Sequence, residues 1–209
     1  MNLSMCRAKR TVLLMGCLLY ALVGTGCAFG DRHVTLFYEP AEDMTTTMDG
    51  QIAIVTFEDE RPRDRMHDVG EVRNGFGMVT ADVRIDTKED QGNIQDVGAW
   101  VADSLSKELT LAGATVQRVD SISEASGYPV VISGTISKLW VNMYMQYDSK
   151  IRTDVKIVRR GSVVFDEPVK GDYETIVWVA SVSEYEKTLT KTLQDWNRHA
   201  VPIIADHVP

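Results

Sequence analysis

The chain has 209 residues, 25 % charged and 44 % hydrophobic, with 22 basic and 30 acidic side chains and a formal net charge of −8. That length supports one domain with a full core, and the acidic balance argues against non-specific binding of nucleic acid or anionic lipid surfaces. The only cysteines are Cys6, Cys17 and Cys27, so the remaining residues form no disulfide framework.

The first 27 residues read as an export signal. Arg7, Lys9 and Arg10 make a basic start, Thr11 to Val23 is an uncharged apolar run, and the small residues Gly24-Thr25-Gly26 precede Cys27. The apolar run is too short for a comfortable membrane span. A cysteine directly after small residues marks lipid attachment, with cleavage before it. Leu14-Met15-Gly16-Cys17 fits the Leu-x-Gly/Ala-Cys pattern more closely, because Gly24 stands where a larger aliphatic is usual. It leaves only six residues between Arg10 and Cys17, short of the roughly 7–15 of a signal core. Cys27 is therefore the expected lipidation position. Residues 1–26 are the expected signal peptide, 27–33 the lipidated cysteine and short tether, and 34–209 a single periplasmic domain. Removing residues 1–26 takes away three basic residues and no acidic one, leaving a charge of −11. Ala28, rather than Asp, follows the cysteine, which points to the outer membrane by analogy with enterobacterial sorting. Ala28 to His33 extend at most about 20 Å, so the domain is expected to work close to the bilayer.

His33 to Glu39 alternates, with Val34, Leu36 and Tyr38 on one face, and predicts a first or edge strand ended by Pro40. Ala41 to Gly50 reads as a loop. Gln51 to Phe57 carries apolar groups on both faces and predicts a central strand. Glu58 to Asp68 is dense in charge of both signs. Val69–Arg73 and Met78–Ile85 read as two arms about an Asn74-Gly75 turn, with Gly77 adding freedom. After a polar loop at Thr87–Asn93, the spacing of Ile94, Val97, Val101, Leu105, Leu109 and Ala112 predicts a helix over 94–112, capped by Asn93 and stopped by Gly113. Thr115–Val119 is a short strand, suggesting a β-α-β unit. Pro129–Tyr147 is a long strand region in which Gly134 suggests a bulge or close packing. Ile151–Val158, turned by Arg160-Gly161 into Val163–Asp166, and then Tyr173–Val179 continue an antiparallel meander. Ser183-x-x-Glu186 is a capping box for a last helix with the stripe Tyr185, Leu189, Leu193, Trp196, which Pro202 is expected to kink or end near His199. Together these predict an α+β fold, a two-layer α/β sandwich of a mixed, largely antiparallel sheet with two helices on one face.

No catalytic set emerges. There is no nucleophile elbow, no zinc-binding motif and no phosphate-binding glycine pattern. His33, His67, His199 and His207 have no ligand spacing, so neither a metal nor a cofactor is expected. Glu58, Asp59, His67 and Asp68 could supply an acid–base pair, which makes a hydrolase the least favoured reading beside a solvated, ion-paired loop. Arg61 and Arg73 can make bidentate contacts with carboxylates, so Arg61, Arg73, Asn74 and Gly75 are the candidate partner-binding residues. Trp140 and Tyr144 on one side of their strand, with Met143, Met145 and Tyr147 on the other, read mainly as a strand covered on both faces. The functional alternative is a groove for a lipid or other apolar ligand.

The order of the segments VTLFYEP, QIAIVTFEDER, VGEVRNGFGM, VADSLSKELTLAGATV and ISGTISKLWV behind a lipidation cysteine resembles the YajG-type family of bacterial outer-membrane lipoproteins, over nearly the whole mature chain. The resemblance implies a lipid-anchored envelope protein and transfers one position, Cys27; the family supplies no catalytic residues to map. The expected function is a non-enzymatic binding or scaffolding module held to the membrane by its lipid. Its partner would be another envelope protein or peptidoglycan, and not nucleic acid.

Overall fold

The computed structural model describes residues 30–85, 96–176 and 181–208. The signal segment with Cys27, the Thr87–Asn93 loop with Ile94, and positions 177–179 lie outside these. The strands are β1 (Arg32–Val34), β2 (Gln51–Val55), β3 (Glu58–Asp59), β4 (Asp68–Arg73), β5 (Val79–Ile85), β6 (Thr115–Val119), β7 (Val130–Tyr144), β8 (Gln146–Arg159) and β9 (Ser162–Thr175). The helices are α1 (Val97–Leu111) and α2 (Val182–His207).

β7 organises the sheet. One edge pairs antiparallel with β8 along its whole length, and β8 pairs antiparallel with the outer strand β9. The other edge is shared by three strands in succession, all parallel: β2 at Val130–Ile132, β3 at Thr135–Ile136 and β4 at Val141–Met143. β2 carries β6 outside it in parallel. β4 carries β5 antiparallel, and β5 carries β1 in parallel. The nine strands form one mixed sheet in which the antiparallel ladders hold most of the paired residues. Pro168 is tolerated because β9 is an edge strand, where one side needs no donor. The Arg160-Gly161 turn forms as expected, with both residues at positive φ (49° and 81°), the two-residue geometry that matches strand twist.

Both helices pack on the same face of this sheet and on each other, which makes the α+β two-layer fold. The alternating residues Ile151, Val155 and Ile157 of β8 are buried in one core with Val97, Val101, Leu105 and Leu109 of α1 and Tyr185, Leu189, Leu193 and Trp196 of α2. Burial of each such side chain contributes about 1.5–3 kcal/mol. β9 passes close to α2 at Gly171, where a Cβ would lie 2.5 Å from Thr192 O and 2.6 Å from the Trp196 backbone nitrogen. The Trp196 ring donates Nε1–H to Thr153 Oγ1 at 2.9 Å and meets Phe57 edge-on at 5.9 Å. Phe57 in turn covers Gly134, so the close-packing reading of that glycine holds, while the bulge in β7 falls between Ile136 and Lys138. β2 is central, as expected, between β7 and β6. Ile52 and Ile54 enter the main core, and Ala53 and Val55 join a smaller cluster on the opposite face with Ala125.

Several boundaries differ from the sequence expectation. The first strand ends at Val34. Leu36 and Tyr38 are buried as the alternation requires, but the backbone there is bonded by helix side chains instead of a neighbouring strand. Thr35 N–H donates to Glu186 (2.9 Å). Phe37 O accepts from Trp100 Nε1 (2.9 Å) and Thr190 Oγ1 (3.1 Å), and Glu39 O accepts from Gln194 (2.8 Å). α1 starts at Val97 with Asp96 as its cap, accepting from Ala99 N at 3.0 Å; the expected cap, Asn93, lies outside the described residues. Gly113 ends it at φ +109°, as expected. α2 is capped by Ser181, whose hydroxyl accepts from Glu184 N–H, two residues before the expected Ser183. The helix continues through Pro202 to His207, because Val201 and Ile204 on its last turns are fully buried. β9 is one strand from Ser162 to Thr175 where two were expected, and β7 ends at Tyr144, so Tyr147 belongs to β8.

Candidate binding surface

The charged Glu58–Asp68 loop is wrapped around one side chain. Arg61 is only 5 % exposed. Its Nε and Nη2 donate to the two carboxylate oxygens of Asp59 at 2.9 and 2.7 Å, Nη1 donates to Asp68 O at 3.0 Å, and Nη2 also donates to Met66 O at 2.7 Å. A bidentate pair with two further carbonyl contacts satisfies a planar guanidinium in a way lysine could not. Arg61 is thus a staple holding the loop, with its donors turned inward. Asp68 is held by Arg84 at 3.1 Å, and His67 is exposed. Of the acid–base candidates, Asp59 and Asp68 are therefore committed to arginines.

The staple shapes a shallow cleft of about 290 Å³ against the outward face of β7, lined by Arg61, Pro62, Arg65, Asp68, Lys138 and Trp140. The bulge after Ile136 lets Lys138 and Trp140 share that face while Leu139 turns into the core. Arg65 lies 5.8 Å from the centre of the Trp140 ring, within cation–π range. Neither Arg65 nor Lys138 has an ion-pair partner among the described residues. Two uncompensated cations beside an indole face can hold a flat or sugar-like group against the ring and pair with a carboxylate on it. Sequence reasoning missed this site: Trp140 stands far along the chain from Arg65, and no local pattern joins them.

The arm forms the other end of β4, five residues and roughly 17 Å from Asp68. The turn runs from Asn74 to Gly77. Asn74 Oδ1 accepts from Phe76 N (2.9 Å) and Met78 N (3.1 Å), and Gly77 N donates to Asn74 O (2.8 Å). The left-handed residue is Gly77, at φ +78°, and Gly75 does not occupy that conformation, so this is not a two-residue Asn-Gly turn. Arg73 pairs with Glu71 and donates to Gly77 O at 2.9 Å, closing the turn from below. Arg73, Asn74 and Gly75 therefore come together at one tip, while Arg61 stands apart at the loop.

The Met and aromatic residues divide differently from simple alternation. Met143 and Tyr147 are cross-strand partners, with Tyr147 fully buried and edge-on to Tyr185 at 4.8 Å. Met145 is the hairpin turn itself, at φ 61°, and is exposed. Tyr144 leans toward the arm, its hydroxyl 3.5 Å from Gly75 O. Burial of Tyr147 in the core removes one wall of the suggested apolar groove.

A second polar cluster lies between the helices. Glu108, almost fully buried, accepts from Tyr38 Oη and from Ala41 N (2.9 Å); Asn197 donates to Tyr38 Oη (3.0 Å) and Ser104 Oγ (3.2 Å). Burial, and next the Glu108 contact, raises the Tyr38 phenol well above its ordinary range. These groups tie the 35–41 segment to both helices.

No protein-family model and no curated protein matches the chain. Among solved structures, a Xanthomonas campestris protein of the DUF330 family is similar over 83 % of this chain and 91 % of its own, with a TM-score of 0.50 at 9 % identity. PelC from Paraburkholderia phytofirmans, solved as a dodecamer, covers 75 % of this chain and 95 % of its own with a TM-score of 0.38 at 12 % identity. A lipoprotein from Neisseria meningitidis covers 75 % and 99 % with a TM-score of 0.37 at 11 % identity. The first likeness is one of fold. Among the described residues, no helix is long and apolar enough to cross a membrane.

Proposed function

We propose that this chain is an outer-membrane lipoprotein of the YajG type, acylated at Cys27, whose periplasmic domain acts as a non-enzymatic binding or scaffolding module. The observation that carries the reading is the basic start, apolar run and small residues ending at Cys27, followed only five residues later by the first strand at Arg32. An acyl anchor so close to the sheet leaves the domain no role far from the bilayer. A triacylated cysteine holds firmly, because each buried methylene contributes about 0.8 kcal/mol.

Two surfaces are available for a partner: the arm at Arg73-Asn74-Gly75 and the cleft that Arg61 shapes beneath Arg65, Lys138 and Trp140. The cleft suits a carboxylate-bearing glycan or peptide, which fits peptidoglycan or an acidic segment of an envelope protein. Fractionation tests the anchor: Cys27→Ala should leave the outer membrane and lose incorporation of labelled palmitate, and unchanged partition would contradict it. Cosedimentation with purified peptidoglycan tests the cleft. Trp140→Ala and Arg65→Ala should each weaken binding several-fold while Arg73→Ala leaves it intact; equal binding by all three removes the cleft from the account.

A further inference from the structure

Half of the exposed large apolar side chains among the described residues gather at one end of the sheet. They are Phe76 (89 % exposed) and Met78 on the arm, Val79 at the start of β5, Tyr144 and Met145 (79 % exposed) at the β7–β8 turn, and Ile176 just past β9. The two hairpin tips stand side by side, because β4 and β7 run parallel up to Val72 and Met143 and Tyr144 reaches Gly75. β9 ends at the same level, with Thr175 opposite Tyr147. Just behind the tips Arg73 pairs with Glu71 and Lys150 with Asp148 at 2.7 Å, with Glu174 opposite Asp148. The far end of β7, roughly 46 Å away, presents the polar Arg160-Gly161 turn.

The chain enters the sheet at this same end. β1 runs parallel to β5, and its first residue, Arg32, is level with Val83. Val79, where β5 begins, is four residues or about 13 Å nearer the tips. Cys27 precedes Arg32 by five residues, a reach of at most about 17 Å. A cysteine tethered that closely can lie level with the tips, whereas it cannot reach the opposite end of the sheet.

We propose that the paired hairpin tips insert into the phospholipid bilayer beside the acyl chains, as a second, non-covalent membrane contact that fixes which end of the domain faces the lipid. The proposal rests on acylation of Cys27 and gives the arm its partner, leaving the Trp140 cleft on the side of the sheet for other components. Phe76, Met78 and Met145 are unbranched or aromatic side chains suited to the headgroup–acyl boundary, and Tyr144 and Arg73 behind them are residue types that settle at headgroup level. An overall acidic domain gains nothing from anionic headgroups, so apolar contact supplies the attraction, and it persists at high salt.

Acylation consumes Cys27, so a mature chain with one introduced cysteine carries one free thiol. Phe76→Cys, Met145→Cys and, as control at the far end of the sheet, Val163→Cys are labelled with an environment-sensitive fluorophore. Each acylated chain is then reconstituted in phosphatidylethanolamine–phosphatidylglycerol vesicles with or without nitroxide-labelled phospholipid. All three side chains are exposed, so the fold is not at stake. The expected result is blue-shifted emission and several-fold nitroxide quenching at positions 76 and 145, with neither at 163. Acylated, vesicle-bound chains in which positions 76 and 145 respond no more than 163 overturn the insertion and leave the anchor standing. A blue shift without quenching by labelled lipid places protein, including a second copy, against the tips and overturns it as well. A chain whose mass shows no acyl group fails the underlying anchor reading, and the insertion falls with it.

Discussion

Arg61 and Arg73 look alike in the sequence, each an arginine two residues after an acidic one, and they do different work. The Arg61 side chain is 4 % exposed and that of Arg73 is 36 %. Removing Arg61 strands the Asp59 carboxylate and two loop carbonyls in a buried site. Arg61→Ala is therefore expected to lower stability by about 3–5 kcal/mol. Arg73→Ala breaks a partly exposed pair and should cost about 0–1 kcal/mol. Urea unfolding followed by circular dichroism measures both, and equal costs would contradict the staple. Loss of binding by an Arg61 variant would thus report a collapsed loop. Three tyrosines add a pH dependence. Burial raises the phenols of Tyr38, Tyr185 and Tyr147 above the ordinary 10.0. Above that pH the unfolded chain releases these protons while the folded chain keeps them, so stability must fall as pH rises. Each tyrosine held protonated takes about 1.4 kcal/mol per pH unit. Thermal melts from pH 8 to 11 should show Tm dropping beyond pH 10, less steeply in Tyr38→Phe, provided that variant folds; a flat profile would contradict the buried-phenol assignment.

At the scale of elements, Ser181 and Ser183 both begin an S-x-x-E box, and local pattern alone cannot choose between them. Tertiary contact decides: Glu186, the partner Ser183 would need, is taken by the Thr35 backbone, while Ser181 accepts from Glu184 N–H. Ser181→Ala should cost about 1 kcal/mol and Ser183→Ala a few tenths, read from chemical denaturation midpoints; the reverse order would return the cap to Ser183. The same logic separates what was legible from what was not. The helix periodicity from Val97 onward, the Gly113 stop, the two-faced β2 and the alternation of β8 depend on short-range chemistry and burial, and all appear as expected. The His33–Glu39 pattern foretold burial of Leu36 and Tyr38 correctly, but α1 and α2 side chains, far along the chain, supply the hydrogen bonds a strand would have taken. The Asn74-Gly75 signal marked a turn, yet the Asn74 side chain bridges two amides and moves the left-handed position to Gly77. The Arg65–Trp140 cleft depends on a β-bulge and on short parallel pairings of β3 and β4 with the distant β7, neither of which has a local signature.

For the whole molecule, the layered sheet gives three separable regions. One end carries apolar tips and the entering chain, the outward face of β7 carries the indole and two cations, and the opposite face holds both helices. This arrangement suits a domain that stands on a membrane and offers its side to a neighbour. The membrane role of that arrangement depends on Cys27 being the mature N-terminal residue and carrying acyl chains on its sulfur and its amine. Intact-mass and N-terminal peptide analysis of protein extracted from the membrane fraction tests this directly. The account predicts a chain beginning at Cys27 with a diacylglyceryl and amide-linked acyl mass on that residue. A chain that retains residues 1–26, begins elsewhere, or carries an unmodified Cys27 would contradict it.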